Sequence, residues 1–293
     1  MKFELKGVIP ALITPVDNEG RINVEVLEKL INHLIDQGAD GFYVGGATGE
    51  GIVLSTEAHK TLTREAVRII NKRVPCIVHV ARMNYDEMIE LAQYAESVGV
   101  DALSAIPPIF YKYNNDAIYN YFAGLAKSVN IPVIIYNNPN ANVAFPVELL
   151  ERLFAVDNIT GIKWTNPNFF PVMQFKPSYP DVEVINGPDE MFLCGLAAGC
   201  NCAIGTTYNF QLPIYKEIYN AFMRGDLTAA RLAQQKANKI IAAAIKVDTI
   251  LATKAILEYQ GFDVCHPLFP KEDFTAEQKA TLIKEVREAG LDI

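Results

Sequence analysis

The chain has 293 residues, half of them hydrophobic and 20% charged, with a formal net charge of -8. That much apolar material builds a large core and excludes a disordered chain. No Lys/Arg-rich run is present, so nucleic-acid and membrane-surface roles lack their electrostatic footprint, although an acidic protein still binds small anions through local N–H groups and hydroxyls.

Met1–Leu12 carries Lys2, Glu4 and Lys6 within a short apolar stretch that Pro10 breaks, so it does not read as a secretion signal. The first strand is expected at Gly7–Thr14. Val24–Gln37 follows with Val26, Leu27, Leu30, Ile31 and Leu34 at helical spacing, and it stops at Gly38. Strand Gly41–Val44 runs into Gly45-Gly46-Ala47-Thr48-Gly49-Glu50. Helix Ser55–Arg73, strand Cys76–Val80, helix Tyr85–Val98, strand Asp101–Ile106 and helix Asn115–Val129 come next. Strand Val133–Tyr136 leads into Asn137-Asn138-Pro139, then helix Pro146–Val156 and strand Ile159–Trp164. Pro171 and Pro177 limit the segment Phe169–Phe175 to a short helix. Strand Val182–Ile185, helix Asp189–Ala198 and strand Cys202–Thr206 complete the alternation. After about Gly225 the pattern changes to helices at Leu227–Val247, Thr249–Tyr259 and Ala276–Ala289 with no strand between them.

Alternation of strands and helices indicates a parallel sheet, and eight such units favour a closed (β/α)8 TIM barrel of class α/β over an open doubly wound sheet. The expected division is a catalytic barrel over 1–224 and a C-terminal three-helix extension over 225–293 packed on it. No Gly-x-Gly-x-x-Gly follows the first strand, so a dinucleotide site lacks its main feature. No apolar run is long enough to span a bilayer.

Active sites of such barrels lie at the C-terminal ends of the strands, and the unusual polar residues of this chain gather there. Along strand six, alternation puts Ile162 and Trp164 on one face and Gly161, Lys163 and Thr165 on the other. The bulky apolar face meets the helices, so Lys163 and Thr165 point inward, where loss of water favours a neutral, nucleophilic amine. The competing reading is a lysine at a strand end reaching solvent. Tyr136 falls at the barrel mouth, where a phenol either shuttles protons or packs as a core tyrosine with a satisfied hydroxyl. Gly45–Thr48 is either a plain turn or a carboxylate cradle. Asp189 and Glu190 either hold sugar hydroxyls or favour a helix N-terminus through its dipole.

The five cysteines and four histidines point elsewhere. An odd, sparse cysteine set reads as free thiols in a reducing cytosol. Cys194, Cys200 and Cys202 lie close in sequence but have no histidine nearby, so no metal site is expected. His33 and His59 read as surface or packing residues, His79 as a hydrogen-bonded interior residue, and His266 as part of a Pro-containing loop.

Together these motifs resemble the pyruvate-dependent class I aldolase family that contains N-acetylneuraminate lyase and dihydrodipicolinate synthase. The resemblance covers nearly the whole chain. Gly45–Glu50 resembles the family's pyruvate-carboxylate loop, Tyr136-Asn137-Asn138-Pro139 its catalytic-tyrosine motif and Gly161-Ile162-Lys163 its Schiff-base lysine motif. Synthases of the family carry an arginine at the position of Ala141. The lyase branch instead shows Thr165 after the lysine and the segments Gly187-Pro188-Asp189-Glu190 and Gly205-Thr206-Thr207-Tyr208-Asn209.

The resemblance implies a lyase that cleaves N-acetylneuraminate to N-acetylmannosamine and pyruvate, with Lys163 and Tyr136 catalytic and no cofactor or metal. It implies substrate contacts at Ala47, Thr48, Thr165, Gly187, Asp189, Glu190 and Thr206. Ala47 departs from the pattern, because many relatives carry Ser or Thr there; Thr48 and backbone N–H groups are left to hold the carboxylate. Tyr111 matches a tyrosine that completes a neighbouring subunit's site, which implies a homo-oligomer, in the family usually a tetramer. Partners are then a small sugar acid and pyruvate, and the location cytoplasmic. Two other functions stay open: a sibling aldolase (dihydrodipicolinate synthase, or one acting on 2-keto-3-deoxy sugar acids) and a non-catalytic barrel that binds a keto acid.

Overall fold

The structure is a computed structural model that describes residues 4–141, 143–268 and 270–293. Residues 1–3, which begin the segment weighed as a secretion signal, lie outside the described residues. Eight strands form one parallel sheet: β1 (Gly7–Pro10), β2 (Phe42–Val44), β3 (Cys76–His79), β4 (Ala102–Ala105), β5 (Val133–Asn137), β6 (Ile159–Trp164), β7 (Glu183–Asn186) and β8 (Cys202–Gly205). They run in the order β1-β8-β7-β6-β5-β4-β3-β2. A parallel bridge between Ala11 and Tyr43 joins the two ends, so the sheet closes into a TIM barrel.

Helices α1 (Val24–Asp36), α2 (Thr56–Ile70), α3 (Tyr85–Ser97), α4 (Asn115–Lys127), α5 (Val147–Phe154), α6 (Phe170–Phe175) and α7 (Phe192–Ala197) follow β1 to β7 in turn, and α8 (Tyr208–Met223) follows β8. Their starts are written locally: Asn23, Ser55, Asn84 and Asn114 each accept a first-turn N–H on a side-chain oxygen. The stripe read from the sequence of α1, Val26, Leu27, Leu30, Ile31 and Leu34, is the buried face.

Beyond shifts of one to three residues at element ends, the structure differs from the sequence reading in three places. The first strand ends at Pro10, not Thr14, because side chains replace its ladder. Asn209 Nδ2 donates to the Ala11 carbonyl at 2.7 Å, Asn209 Oδ1 accepts from Ile13 N at 3.2 Å, and Thr14 Oγ1 donates to the Gly49 carbonyl at 2.6 Å. Asp189–Ala198 is not one helix but a 3₁₀ turn, Asp189–Met191, leading into α7. Helix α8 is an element the spacing did not single out: Pro213 lies inside it and Gln211 leaves helical geometry at φ -134°, which interrupts the periodicity.

Beyond α8 come α9 (Leu227–Ala244), α10 (Thr249–Tyr259) and α11 (Ala276–Glu288). Ala237 and Ile241 of α9 and Leu257 of α10 join the main core. Ile240, Ala244, Ile256, Leu282 and Val286 form a second cluster with Phe210 of α8. These helices therefore stand against the barrel's own helical ring. Among the described residues, no helix is long and apolar enough to cross a membrane.

Candidate active site

Tyr136 of β5 and Lys163 of β6 are Cα partners in the parallel ladder. The register slips just before them: Val133 pairs with Ile159, but Ile134 pairs with Gly161. Without that slip, Tyr136 would face a neighbour of Lys163 whose side chain points the other way. Gly161 takes part in the close packing, since a Cβ there would lie 2.8 Å from the Glu183 carbonyl oxygen. Tyr136 and Lys163 are each 5% exposed, so the lysine does not reach bulk water. Its Nζ lies 4.1 Å from the Tyr136 ring centroid and 5.0 Å from that of Tyr43. A lysine amine held over aromatic faces is attracted to their negative quadrupoles while it is charged.

Tyr43 is a residue the sequence reading missed. Its ring meets Tyr136 edge-on at 6.2 Å, and its hydroxyl donates to Ser104 Oγ at 3.1 Å. Burial pushes its phenol well above the usual tyrosine range. The available signal was alternation, because a tyrosine in the middle of β2 must point either to the helices or to the barrel interior. The loop glycines also have a structural use. A Cβ on Gly46 would fall 2.4 Å from the Tyr43 ring, and one on Gly45, at φ +66°, would fall 2.2 Å from His59 Nε2. His79 closes the floor, edge-on to Tyr136 at 6.2 Å, and accepts the Ile106 N–H at Nε2 over 3.3 Å. Burial depresses both His59 and His79 to about 3, so both are neutral at neutral pH. His59 is thus a packing residue, and His79 the interior residue expected.

The rim residues divide by what they touch. Thr48 Oγ1 and Thr206 Oγ1 are 2.6 Å apart, which joins the loops after β2 and β8. Ala47 beside them is exposed. Thr165 Oγ1 is buried without a hydrogen-bond partner, and Gly187 makes room for it: a Cβ on Gly187 would stand 2.0 Å from that oxygen. Asp189 is 8% exposed, and its Oδ2 accepts both Thr207 N–H and Thr207 Oγ1 at 2.8 Å. Burial pushes its carboxyl up to about 6, against the pull of the Thr207 bonds and the Lys163 charge. Asp189 therefore sits inside the wall, whereas Glu190 is exposed on the turn beside it. Tyr111 stands apart from these contacts, 67% exposed and edge-on to Phe110. Cys194 is exposed while Cys200 and Cys202 are buried, and among the described residues no group of three or more His, Cys, Asp or Glu is placed to hold a metal ion.

Chemically, this is a primary amine beside a phenol at the C-terminal mouth of a barrel, walled by hydroxyls and one buried carboxyl. Such a set can form an imine with a carbonyl and move protons next to it.

The family model described as the dihydrodipicolinate synthetase family matches residues 4–289. The N-acetylneuraminate lyase of Citrobacter koseri is 31% identical over 297 residues, which span 99% of this chain and 100% of that protein. A Clostridium difficile protein solved in complex with mannosamine superposes with a TM-score of 0.94 at 30% identity, covering 98% of this chain and 100% of its own. A dihydrodipicolinate synthase of Bacillus anthracis superposes with a TM-score of 0.93 at 28% identity, covering 97% of this chain and 98% of its own.

Proposed function

This chain belongs to the dihydrodipicolinate synthetase family of pyruvate-handling carbon–carbon lyases, and on that footing we propose that it cleaves N-acetylneuraminate to N-acetylmannosamine and pyruvate. The observation that carries the reading is Lys163 beside Tyr136, buried and paired across β5 and β6. Lys163 Nζ adds to the C2 ketone of the open-chain sugar acid, and loss of water gives an iminium. Tyr136 gives its proton to the departing hydroxyl in that step, and the phenolate so formed accepts the proton of the C4 hydroxyl. The C3–C4 bonding pair moves into the iminium, which becomes a neutral enamine, while C4 becomes the aldehyde of N-acetylmannosamine. Protonation of the enamine at C3 and hydrolysis then release pyruvate and the free amine. Each step uses only groups of this chain, the substrate and water.

Thr48 and the backbone of its loop are assigned to the substrate carboxylate, with Ala47 contributing backbone alone. Thr165, Gly187, Asp189, Glu190 and Thr206 are assigned to the hydroxylated tail. Ala141 supports the lyase over the sibling synthase, since it is 2% exposed and apolar where the resemblance places an arginine for a dicarboxylic substrate. We also infer a homo-oligomer and a cytoplasmic site of action. In support of the oligomer, Tyr111 is displayed at the surface with Phe110 and Met83.

The test is reductive trapping beside a cleavage assay. Pyruvate with borohydride should leave a reduced adduct on Lys163, and Lys163→Ala should lose both adduct and cleavage. An adduct on Lys254 instead, or none on an active wild type, overturns the mechanism. Cleavage of another 2-keto-3-deoxy sugar acid in preference to N-acetylneuraminate would move the substrate to a sibling. A stable pyruvate complex with no adduct and no turnover would make the barrel a binder.

A further inference from the structure

The turn that bears Asp189 and Glu190 begins without the usual local support. Neither Pro188, ahead of the 3₁₀ turn, nor Met191, ahead of α7, offers a side-chain cap. The N–H groups of a first helical turn need acceptors from somewhere. Here α9 supplies one from 41 residues away: Gln234 Oε1 accepts the Leu193 N–H at 2.9 Å. The other end of the same amide is also engaged. Gln234 Nε2 donates to the Asp189 carbonyl at 3.2 Å and to Asn238 Oδ1 at 2.8 Å. Asn238 Nδ2 in turn donates to the Glu190 carbonyl at 3.1 Å. Gln234 is 8% exposed, and both its ends have partners. Two side chains of one helix thus hold the backbone of both acidic residues on the rim.

On the far side, Asp189 is fixed by Thr207, next to the Thr206–Thr48 contact. The turn is therefore clamped between the barrel and α9. We infer that Gln234, backed by Asn238, is a positioning residue for substrate choice: it sets the pose of Asp189 and Glu190, so the C-terminal helices take part in selecting the substrate's hydroxylated tail. This rests on the proposed aldolase reading. It assigns Gln234 no contact with substrate. A purely structural glutamine would affect all substrates alike through the amount of folded enzyme. A positioning glutamine separates substrates with a tail from those without.

The experiment compares wild type, Gln234→Leu, Gln234→Glu and Asn238→Ala. Each is assayed on the wild type's best polyhydroxylated 4-hydroxy-2-keto acid, N-acetylneuraminate among the panel, and on a 4-hydroxy-2-keto acid that ends at C4. Gln234→Leu should lose about tenfold in kcat/KM on the tailed acid, mainly in KM, since polar groups of the turn lose their partners. On the tailless acid the loss should stay within about twofold, and borohydride trapping of pyruvate should be retained. Gln234→Glu keeps the acceptor for Leu193 and should fall between the two. Asn238→Ala opens no buried cavity and should show a smaller loss of the same kind, which guards against misfolding of the first variant. Equal losses on both acids, or no loss in any variant, overturn the inference. A wild type that cleaves another tailed acid but not N-acetylneuraminate corrects the substrate alone, and the separation is then read on that acid. A wild type that prefers the tailless acid overturns the tail assignment and the positioning role together.

Discussion

Tyr136 and Asp189 are both buried acids of the site, but burial means different things for their chemistry. Tyr136 lies over the Lys163 amine, where a phenol can take and return a proton. Tyr136→Phe keeps the ring and removes only that proton site, so kcat should fall on the order of 10²–10⁴-fold, the usual worth of a positioned acid–base group. Trapping of pyruvate should survive better than cleavage; unchanged kcat would leave Tyr136 a packing residue. Asp189 keeps its proton in the fold up to about pH 6, because burial raises it from 3.8. The unfolded chain loses that proton at the lower pH. Stability is therefore lost as pH rises between these two values, and the cost is complete above about pH 6. That cost is on the order of 3 kcal/mol for a shift of this size. Asp189→Asn cannot ionise and escapes it. The melting-temperature difference, Asp189→Asn minus wild type, should become more positive between pH 4 and pH 7. A difference that is flat with pH would show that Asp189 ionises as freely in the fold as out of it.

Elements of this chain were legible where local rules decide them, and illegible where distant parts do. The strand and helix alternation and the buried stripe of α1 follow from periodicity alone, whereas for Lys163 alternation offered the inward face beside a solvent-reaching alternative that its 5% exposure decides against. The slip between β5 and β6 that brings Tyr136 level with Lys163 does not, because nothing in Ile159–Gly161 marks which residue is skipped. Glu50 shows the same limit. It reads as the last residue of a Gly-rich loop, yet it takes φ +53° and turns into the protein. Its Oε2 lies 2.8 Å from Lys254 Nζ of α10, both side chains under 5% exposed, in an ion pair rather than an aligned hydrogen bond. Glu50 Oε1 accepts Leu268 N–H and Lys254 donates to the His266 carbonyl, each at 3.0 Å. The Gly45–Glu50 loop is thus bolted to α10 and to the segment that follows it. Removing one buried partner strands the other charge, so Lys254→Met should cost about 3–5 kcal/mol in urea unfolding. Glu50→Gln placed on top should restore part of that loss, because it removes the stranded charge while keeping an acceptor for Leu268. Strictly additive losses in the double variant would mean that the two charges do not compensate each other.

At the scale of the whole molecule, the apolar surface is uneven. Val53 follows β2, Met83 follows β3, and Phe110, Tyr111 and Tyr113 follow β4, so adjacent loops on the C-terminal side of the barrel carry them. Phe110 is 85% exposed and sits at φ +79°, a conformation that bulky residues rarely adopt. Backbone strain of this kind persists only where something repays it, and a large aromatic held out into water repays nothing in an isolated chain. A second copy packed on these loops would bury the aromatics, and the resemblance assigns Tyr111 to the site of such a neighbour. The chain should therefore sediment as a homo-oligomer at micromolar concentration. Phe110→Asp would force a charge into the contact and should shift the mass towards the monomer. Tyr111→Ala should lower kcat/KM while leaving assembly largely in place. Activity of Phe110→Asp should then rise with enzyme concentration, as it must when a site needs two chains. A single monomeric mass for wild type, with specific activity independent of dilution, would make these aromatics ordinary surface and leave each barrel with a complete site of its own.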